Sequence, residues 1–228
     1  MTRSAKLLAG AAFLGLLGTA LPASAAILVD GNFDDPPLPN PFLTKAGGTT
    51  FGGGSGTAWT ILGDSIDEVG NYWQAPVAGG GSIDLDGAAA GGISQAFNVA
   101  AGTYILSFSL SGNPDNGTTP ADPLKSVAVS VGDVSNQVFT YTTGTNSHGD
   151  MQYALETLTF TSTGGGDILS FLSQDAADSS FGAVVGGISI AFAPVPEPAT
   201  WMMLILGFGL TGSLLRKNRG KSIGLIPA

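Results

Sequence analysis

Gly102-Thr103-Tyr104-Ile105-Leu106-Ser107-Phe108-Ser109-Leu110 is the stretch on which the fold class turns. Tyr104, Leu106, Phe108 and Leu110 fall on one parity, and Ile105, Ser107 and Ser109 on the other. That is the period of two of a half-buried strand, not the 3.6 of a helix. Outward from it the same period returns. Val127, Val129 and Val131 alternate with Ala128 and Ser130, and Val138-Phe139-Thr140-Tyr141 and Leu158-Thr159-Phe160-Thr161 add β-branched and aromatic runs. Ser82–Leu85, Ile93–Val99, Ile168–Leu172 and Val184–Phe192 extend the set to roughly nine or ten strands. Gly87-Ala88, Ala101-Gly102, Gly112-Asn113-Pro114-Asp115, Gly132-Asp133 and Gly164-Gly165-Gly166 lie between them and carry turn chemistry. Short strands with no helical pattern between them predict an all-β, antiparallel sandwich over residues 26–193. Its core is expected to hold Phe33, Trp59, Ile61, Leu85, Ile93, Phe97, Tyr104, Leu106, Phe108, Val127, Val129, Phe139, Leu158, Phe160, Leu169, Phe171 and Ile188. Gly47–Gly56, rich in glycine, reads as a mobile surface loop, and Gly112–Pro123 as a second long connection.

The chain has 228 residues and no cysteine, and its single histidine is His148. That excludes a disulfide scaffold, a Cys-ligated metal, a thiol nucleophile and a His-rich centre. All 17 acids fall between Asp30 and Glu197, where Lys45 and Lys125 are the only cations. A region this anionic repels phosphate backbones, so nucleic acid is excluded as a partner.

Both ends read as addresses. Arg3 and Lys6 precede the apolar run Leu7–Leu21, and Ala23-Ser24-Ala25 places small residues where a signal peptidase reads them. Residues 1–25 are therefore expected to be a signal peptide, a helix cut before Ala26. Near the other end, Pro194-Val195-Pro196-Glu197-Pro198 begins an extended, protease-accessible linker over 194–200. Trp201–Leu215 is uncharged and apolar, and Arg216, Lys217 and Arg219 begin a basic tail over 216–228. This order predicts a transmembrane helix at 201–215, short for a span, with the basic tail cytoplasmic and Trp201 at the outer interface.

Pro196-Glu197-Pro198-x-x-Trp201, the apolar helix and Arg216-Lys217-x-Arg219 resemble the PEP-CTERM sorting signal of Gram-negative bacteria in its Trp-containing variant. The resemblance implies an inner-membrane precursor handled by an exosortase and delivered to the cell surface or an exopolysaccharide matrix. Gly220–Ala228 extends beyond the usual end of that signal. The same tail has been labelled an ice-binding protein C-terminal segment, a name that says nothing about ice.

A second resemblance lies in the exported region. Asp30-Gly31-Asn32-Phe33-Asp34, Trp59-Thr60-Ile61, Tyr72-Trp73-Gln74, Ser82-Ile83-Asp84-Leu85-Asp86-Gly87 and Gly92-Ile93-Ser94-Gln95-Ala96-Phe97 are similar in order to DUF642-like, choice-of-anchor C domains. That likeness implies a galactose-binding-like jelly roll associated with wall or matrix polysaccharide. Gly186-Gly187 stands where such domains usually place an Asp, so one carboxylate of a calcium site is missing.

For chemistry, a Ser-His-Asp triad would have to use His148, and neither a nucleophile elbow nor a second histidine supports one, so a solvated turn is expected there. Asp64, Asp67, Glu68, Asp84 and Asp86 supply carboxylates for glycoside hydrolysis in number, but their turn-rich surroundings suggest no paired pKa split. The region is expected not to be an enzyme. Sugar binding asks only for an aromatic face beside carboxylates or amides. Asp67, Glu68, Tyr72 and Trp73 concentrate those types, with Trp73 also a candidate for the core. Asn32, Asp34 and Asp35 gather oxygen donors for weak Ca²⁺ binding, and simple turn formation explains them as well. The expectation is a non-enzymatic surface protein that binds neutral polysaccharide. The alternatives are an acidic structural matrix protein without a sugar site and a secreted hydrolase.

Overall fold

The computed structural model describes residues 27–38, 40–115, 123–193 and 198–219. Twelve strands form in chain order: β1 (Phe42–Ala46), β2 (Thr50–Phe51), β3 (Trp59–Gly63), β4 (Ser65–Val69), β5 (Ser82–Asp84), β6 (Gly91–Val99), β7 (Gly102–Gly112), β8 (Leu124–Val131), β9 (Val134–Thr142), β10 (Ala154–Ser162), β11 (Gly165–Ser173) and β12 (Ala183–Phe192). A helix, α1, follows at Pro198–Arg219. The strands make two six-stranded sheets, ordered β1-β4-β5-β12-β7-β10 and β2-β3-β6-β11-β8-β9, with every pairing antiparallel. The all-β two-sheet sandwich expected from the alternation is the architecture found.

The two sheets face each other across the apolar parity of their strands. Tyr104, Leu106, Phe108 and Leu110 of β7 are buried against Val127 and Val129 of β8 and Leu169 and Phe171 of β11. Phe108 meets Phe139 and Phe171 edge-on at 5.1 and 5.0 Å between centroids, a geometry that adds about 0.5–1.5 kcal/mol per pair to area burial. Of the expected core, Phe139 and Leu158 are only half-buried and pack against the cluster from its margin. Trp59 has no exposed surface, and its indole N–H donates to the Asp30 carbonyl at 3.0 Å.

Three expectations need correction. Gly47–Gly56 is not simply a loop, because β2 lies inside it and buries Phe51 beside Phe33. One aromatic side chain anchors a stretch whose glycines otherwise read as flexible. The helix is longer than expected at both ends: Pro198 opens it, since the first turn needs no N–H there, and Arg216, Lys217 and Arg219 belong to its last turns. Finally, among the described residues no helix is long and apolar enough to cross a membrane. The run Trp201–Leu215 rises roughly 22 Å at ~1.5 Å per residue, against a hydrocarbon core of ~30 Å. Gly207, Gly209, Thr211, Gly212 and Ser213 also dilute its hydropathy. The signal segment with Ala23 and Ala25, and Pro194–Glu197 of the linker, lie outside the described residues.

Candidate functional site: a cleft on the outer face of one sheet

Antiparallel partners share a face, so register alone lines up a row across the first sheet. Thr44 opposes Asp67, Asp67 opposes Asp84, Asp84 opposes Val184, and Val184 opposes Ser111. One step along, Phe42 opposes Val69 and Val69 opposes Ser82. Both rows belong to the outer face, away from the sandwich core. A polar row in mid-sheet would face solvent if nothing covered it, and here two loops do.

The first cover is the segment after β4. Trp73 is 6% exposed and donates its indole N–H to Ser82 Oγ at 2.8 Å. The second is the connection between β9 and β10, held to the first by Gln74 N donating to the His148 carbonyl at 2.8 Å and Met151 N donating to Gln74 Oε1 at 2.9 Å. Val69, Trp73, Met151 and Val184 form a small second core there, with Tyr153 packed against it. Burial pushes the Tyr153 phenol up to about 12, with the Ser82 hydroxyl and Trp73 indole nearby to offset it; its hydroxyl reaches no hydrogen bond of good geometry. Glycine makes the approach close. A Cβ on Gly186 would sit 2.7 Å from Pro76 Cγ, and the register of β12 shifts just after this residue. Gly186 therefore lets the Trp73-bearing segment lie down on the sheet.

Where the covers stop, a cleft of about 370 Å³ remains. It is lined by Asp67 and Val69 of β4, the aromatic rings of Phe42, Tyr72, Trp73 and Phe181, and Asn113, Asp115 and Ser180. Phe42 is 44% and Tyr72 37% exposed, their rings 5.2 Å apart, and Tyr72 continues to the His148 imidazole at 4.5 Å. His148 Nε2 pairs with Asp115 Oδ1 at 2.7 Å. Asp115 also accepts from the Tyr72 hydroxyl, and this bond and its charge raise the Tyr72 pKa.

The carboxylates of the row differ in access. Asp67 is partly exposed and takes one hydrogen bond, from Thr44 Oγ1 at 2.5 Å; burial raises its pKa against that bond. Asp84, directly opposite, has no exposed surface. Its Oδ1 accepts from the backbone N–H groups of Asp86 and Gly182, and its Oδ2 from the Asn113 side-chain amide at 2.6 Å. Burial, with the charges of Asp86 and Asp67 behind it, holds Asp84 well above the ordinary carboxylate range despite those donors. Two adjacent carboxyls with unequal surroundings resemble an acid-base pair. Asp84, however, is sealed beneath Asn113 and cannot reach a glycosidic oxygen in this arrangement. Asp86 is also buried and raised by burial, with the Ser173 and Ser179 hydroxyls and the Lys125 charge opposing the rise.

Of the residues expected at a sugar site, the structure brings Asp67, Tyr72 and Trp73 together and sets Glu68 apart. Adjacent strand residues point to opposite faces, so Glu68 turns inward and pairs with Lys45 Nζ at 3.1 Å. Burial raises its pKa, with Lys45 opposing. Trp73 is chiefly a structural wall. Phe42, Asn113 and Asp115 are cleft residues that sequence reasoning missed, and His148, in an exposed turn beside the cleft, packs on the Tyr72 ring. It pairs with Asp115, not with Ser147 or Asp150 as a triad in that turn would require.

Asn32, Asp34 and Asp35 lie in one turn-rich segment. The centre of that turn is Asp30, whose Oδ1 accepts from the N–H groups of Asp34 and Asp35 and whose Oδ2 accepts from Gly53 N. Asn32 contributes its carbonyl to Gly81 N. Asp34 lines a separate cavity, also about 370 Å³, on the far side of Trp73. Among the described residues no three His, Asp or Glu side chains gather for a metal.

Residues 194–219 match the PEP-CTERM protein-sorting motif. Within it, Pro198 opens α1, and Trp201 and Arg216 are exposed on it. The match is confined to the tail and does not extend to the DUF642-like resemblance of the sandwich. No curated protein matches the chain significantly. Among solved structures, the chain is similar to a family 35 carbohydrate binding module from Clostridium thermocellum, at 13% identity over 59% of this chain and 92% of that one, with a TM-score of 0.41. It is also similar to an exo-beta-1,3-galactanase from Phanerochaete chrysosporium, at 17% identity over 64% and 29% of the two chains, with a TM-score of 0.40. TmCBM61 in complex with beta-1,4-galactotriose gives 14% identity over 75% and 100%, with a TM-score of 0.37.

Proposed function

We propose that this is an exported, exosortase-processed protein of a Gram-negative cell surface or extracellular matrix whose sandwich binds polysaccharide without cutting it. The sorting half of the reading is supported by the PEP-CTERM match over residues 194–219. In this reading residues 1–25 are the leader removed before Ala26, residues 26–193 the exported domain, and Pro196-Glu197-Pro198 the processing point. The sandwich is read as a galactose-binding-like jelly roll of the DUF642-like kind.

The binding half is carried by one observation: the half-exposed Phe42 and Tyr72 rings line one cleft with Asp67, Asn113 and Asp115. Aromatic faces cover the apolar side of a pyranose while carboxylates accept from its hydroxyls. The sealing of Asp84 argues against hydrolysis, because the candidate acid has no path to substrate.

The test is affinity electrophoresis of the full chain through gels containing the producing organism's own exopolysaccharide. Retention is expected, with at least a tenfold loss in Tyr72→Ala. Because Tyr72 also packs on Phe42 and His148, thermal melting of the variant checks that it is folded. Equal retention of the two proteins rejects the cleft as the binding site, and steady release of reducing ends rejects the non-catalytic reading.

A further inference from the structure

The charged groups that line the cleft are both carboxylates, Asp67 and Asp115. The Asn113 amide is partly engaged: its Nδ2 donates to Asp84, and its Oδ1 accepts from Asp115 N at 2.8 Å. Open to a ligand are the Asp67 carboxylate, the Asp115 carboxylate shared with His148, the Ser180 hydroxyl, and the faces of Phe42 and Tyr72. Among the described residues no Lys or Arg lines the cleft. Between Asp30 and Glu197 the only cations are Lys45, turned to the inner face and paired with Glu68, and Lys125, which is buried.

Asp67 is the informative group. A carboxylate can accept about four hydrogen bonds, and among the described residues Asp67 receives one, from Thr44. Its charge is partly desolvated without a cationic partner. A neutral sugar hydroxyl meets that need in part. An ammonium meets it with a charge-assisted bond and also rests over an aromatic ring as a cation.

We propose that the cleft prefers saccharides carrying a free primary amine, protonated amino sugars, over neutral, N-acetylated or uronate sugars. This rests on the saccharide-binding reading above. Acetylation removes the charge while keeping the ring, and a uronate brings a further negative charge to a cleft that Asp67 and Asp115 already make anionic. Asp67 and Asp115 hold the ammonium, and Phe42 and Tyr72 take the sugar face.

The test immobilises the producing organism's exopolysaccharide in two forms, native and N-acetylated with acetic anhydride, and measures retention of the full chain on each. Retention on the native polymer is expected to fall about tenfold or more on the acetylated one. Glucosamine hydrochloride is expected to elute the protein at concentrations where glucose and sodium chloride of equal ionic strength do not. Asp67→Asn, checked by thermal melting, is expected to bind the native polymer no better than wild type binds the acetylated one. Should that variant fail to fold, the two polymers still decide the matter with the wild-type chain. Equal retention on both forms overturns the amine preference and leaves saccharide binding standing, as does retention that needs added calcium and favours a uronate polymer. No retention on the native polymer removes the saccharide reading itself, and the preference with it.

Discussion

The outer faces of the two sheets are built on the same antiparallel register and come out as opposites. On the first, the row Thr44, Asp67, Asp84, Val184 and Ser111 is covered by the Trp73 segment and the loop before β10, leaving a cleft at the margin. On the second, Thr60, Ser94, Ser170 and Ser130 form one row, and Leu62, Gly92, Leu172, Ala128 and Val138 the next. No residue of that second face lines either cavity described above. Small hydroxyls there find water directly, so the face needs no cover. Buried acids at mid-sheet must instead be supplied with donors, and the loops that supply them also build the cleft.

The sharpest way to break this contrast is Trp73→Ala. The indole fills the second core and caps Ser82, so its loss is expected to cost ~3–5 kcal/mol in urea unfolding. A cost below about 1 kcal/mol would mean that the covers are ornament. Asn113→Ala should be next, at ~1–3 kcal/mol, because it takes from Asp84 Oδ2 its side-chain donor in a sealed site.

The pH dependence follows from the same residue. A carboxyl whose folded pKa lies above its unfolded value binds its proton more tightly when folded. Its contribution therefore declines as pH rises from the ordinary value of 3.8 toward the raised one. Asp30, Asp67, Glu68 and Asp86 are shifted in the same direction. The urea midpoint is thus expected to fall on going from about pH 4 toward neutrality, and Asp84→Asn should flatten that slope whatever it does to the absolute level. A midpoint that rises over this range refutes the assignment.

The smallest effect is expected on the bare face. Val138→Thr should move stability by no more than ~0.5 kcal/mol and leave polysaccharide retention unchanged. A loss of retention there would exchange the roles of the two faces.

Much of this was legible in the sequence. The Tyr104–Leu110 alternation identified β7 and the sandwich, because a half-buried strand writes its period directly into its residues. Ser65-Ile66-Asp67-Glu68-Val69 also carried a signal that was available: on a strand, Asp67 and Glu68 cannot share a face. β1 and β2 were hidden because they are brief and lie among prolines and glycines, and their burial comes from partners far along the chain. The cleft was half-legible for the same reason. Tyr72 and Trp73 sit side by side, whereas Phe42, the pair Asn113 and Asp115, and Phe181 come from three separate segments. Only strand register and loop docking bring them to one place, and no local pattern encodes either.

Along α1, Trp201, Met202, Met203, Leu204, Ile205, Leu206, Phe208 and Leu210 all stand bare to solvent. A hydrophilic body that keeps this greasy handle will adsorb to interfaces and to other copies of itself. Severing the junction ahead of it is therefore the step that would turn a clinging particle into one free to diffuse, and solubility becomes a readout of whether processing has occurred.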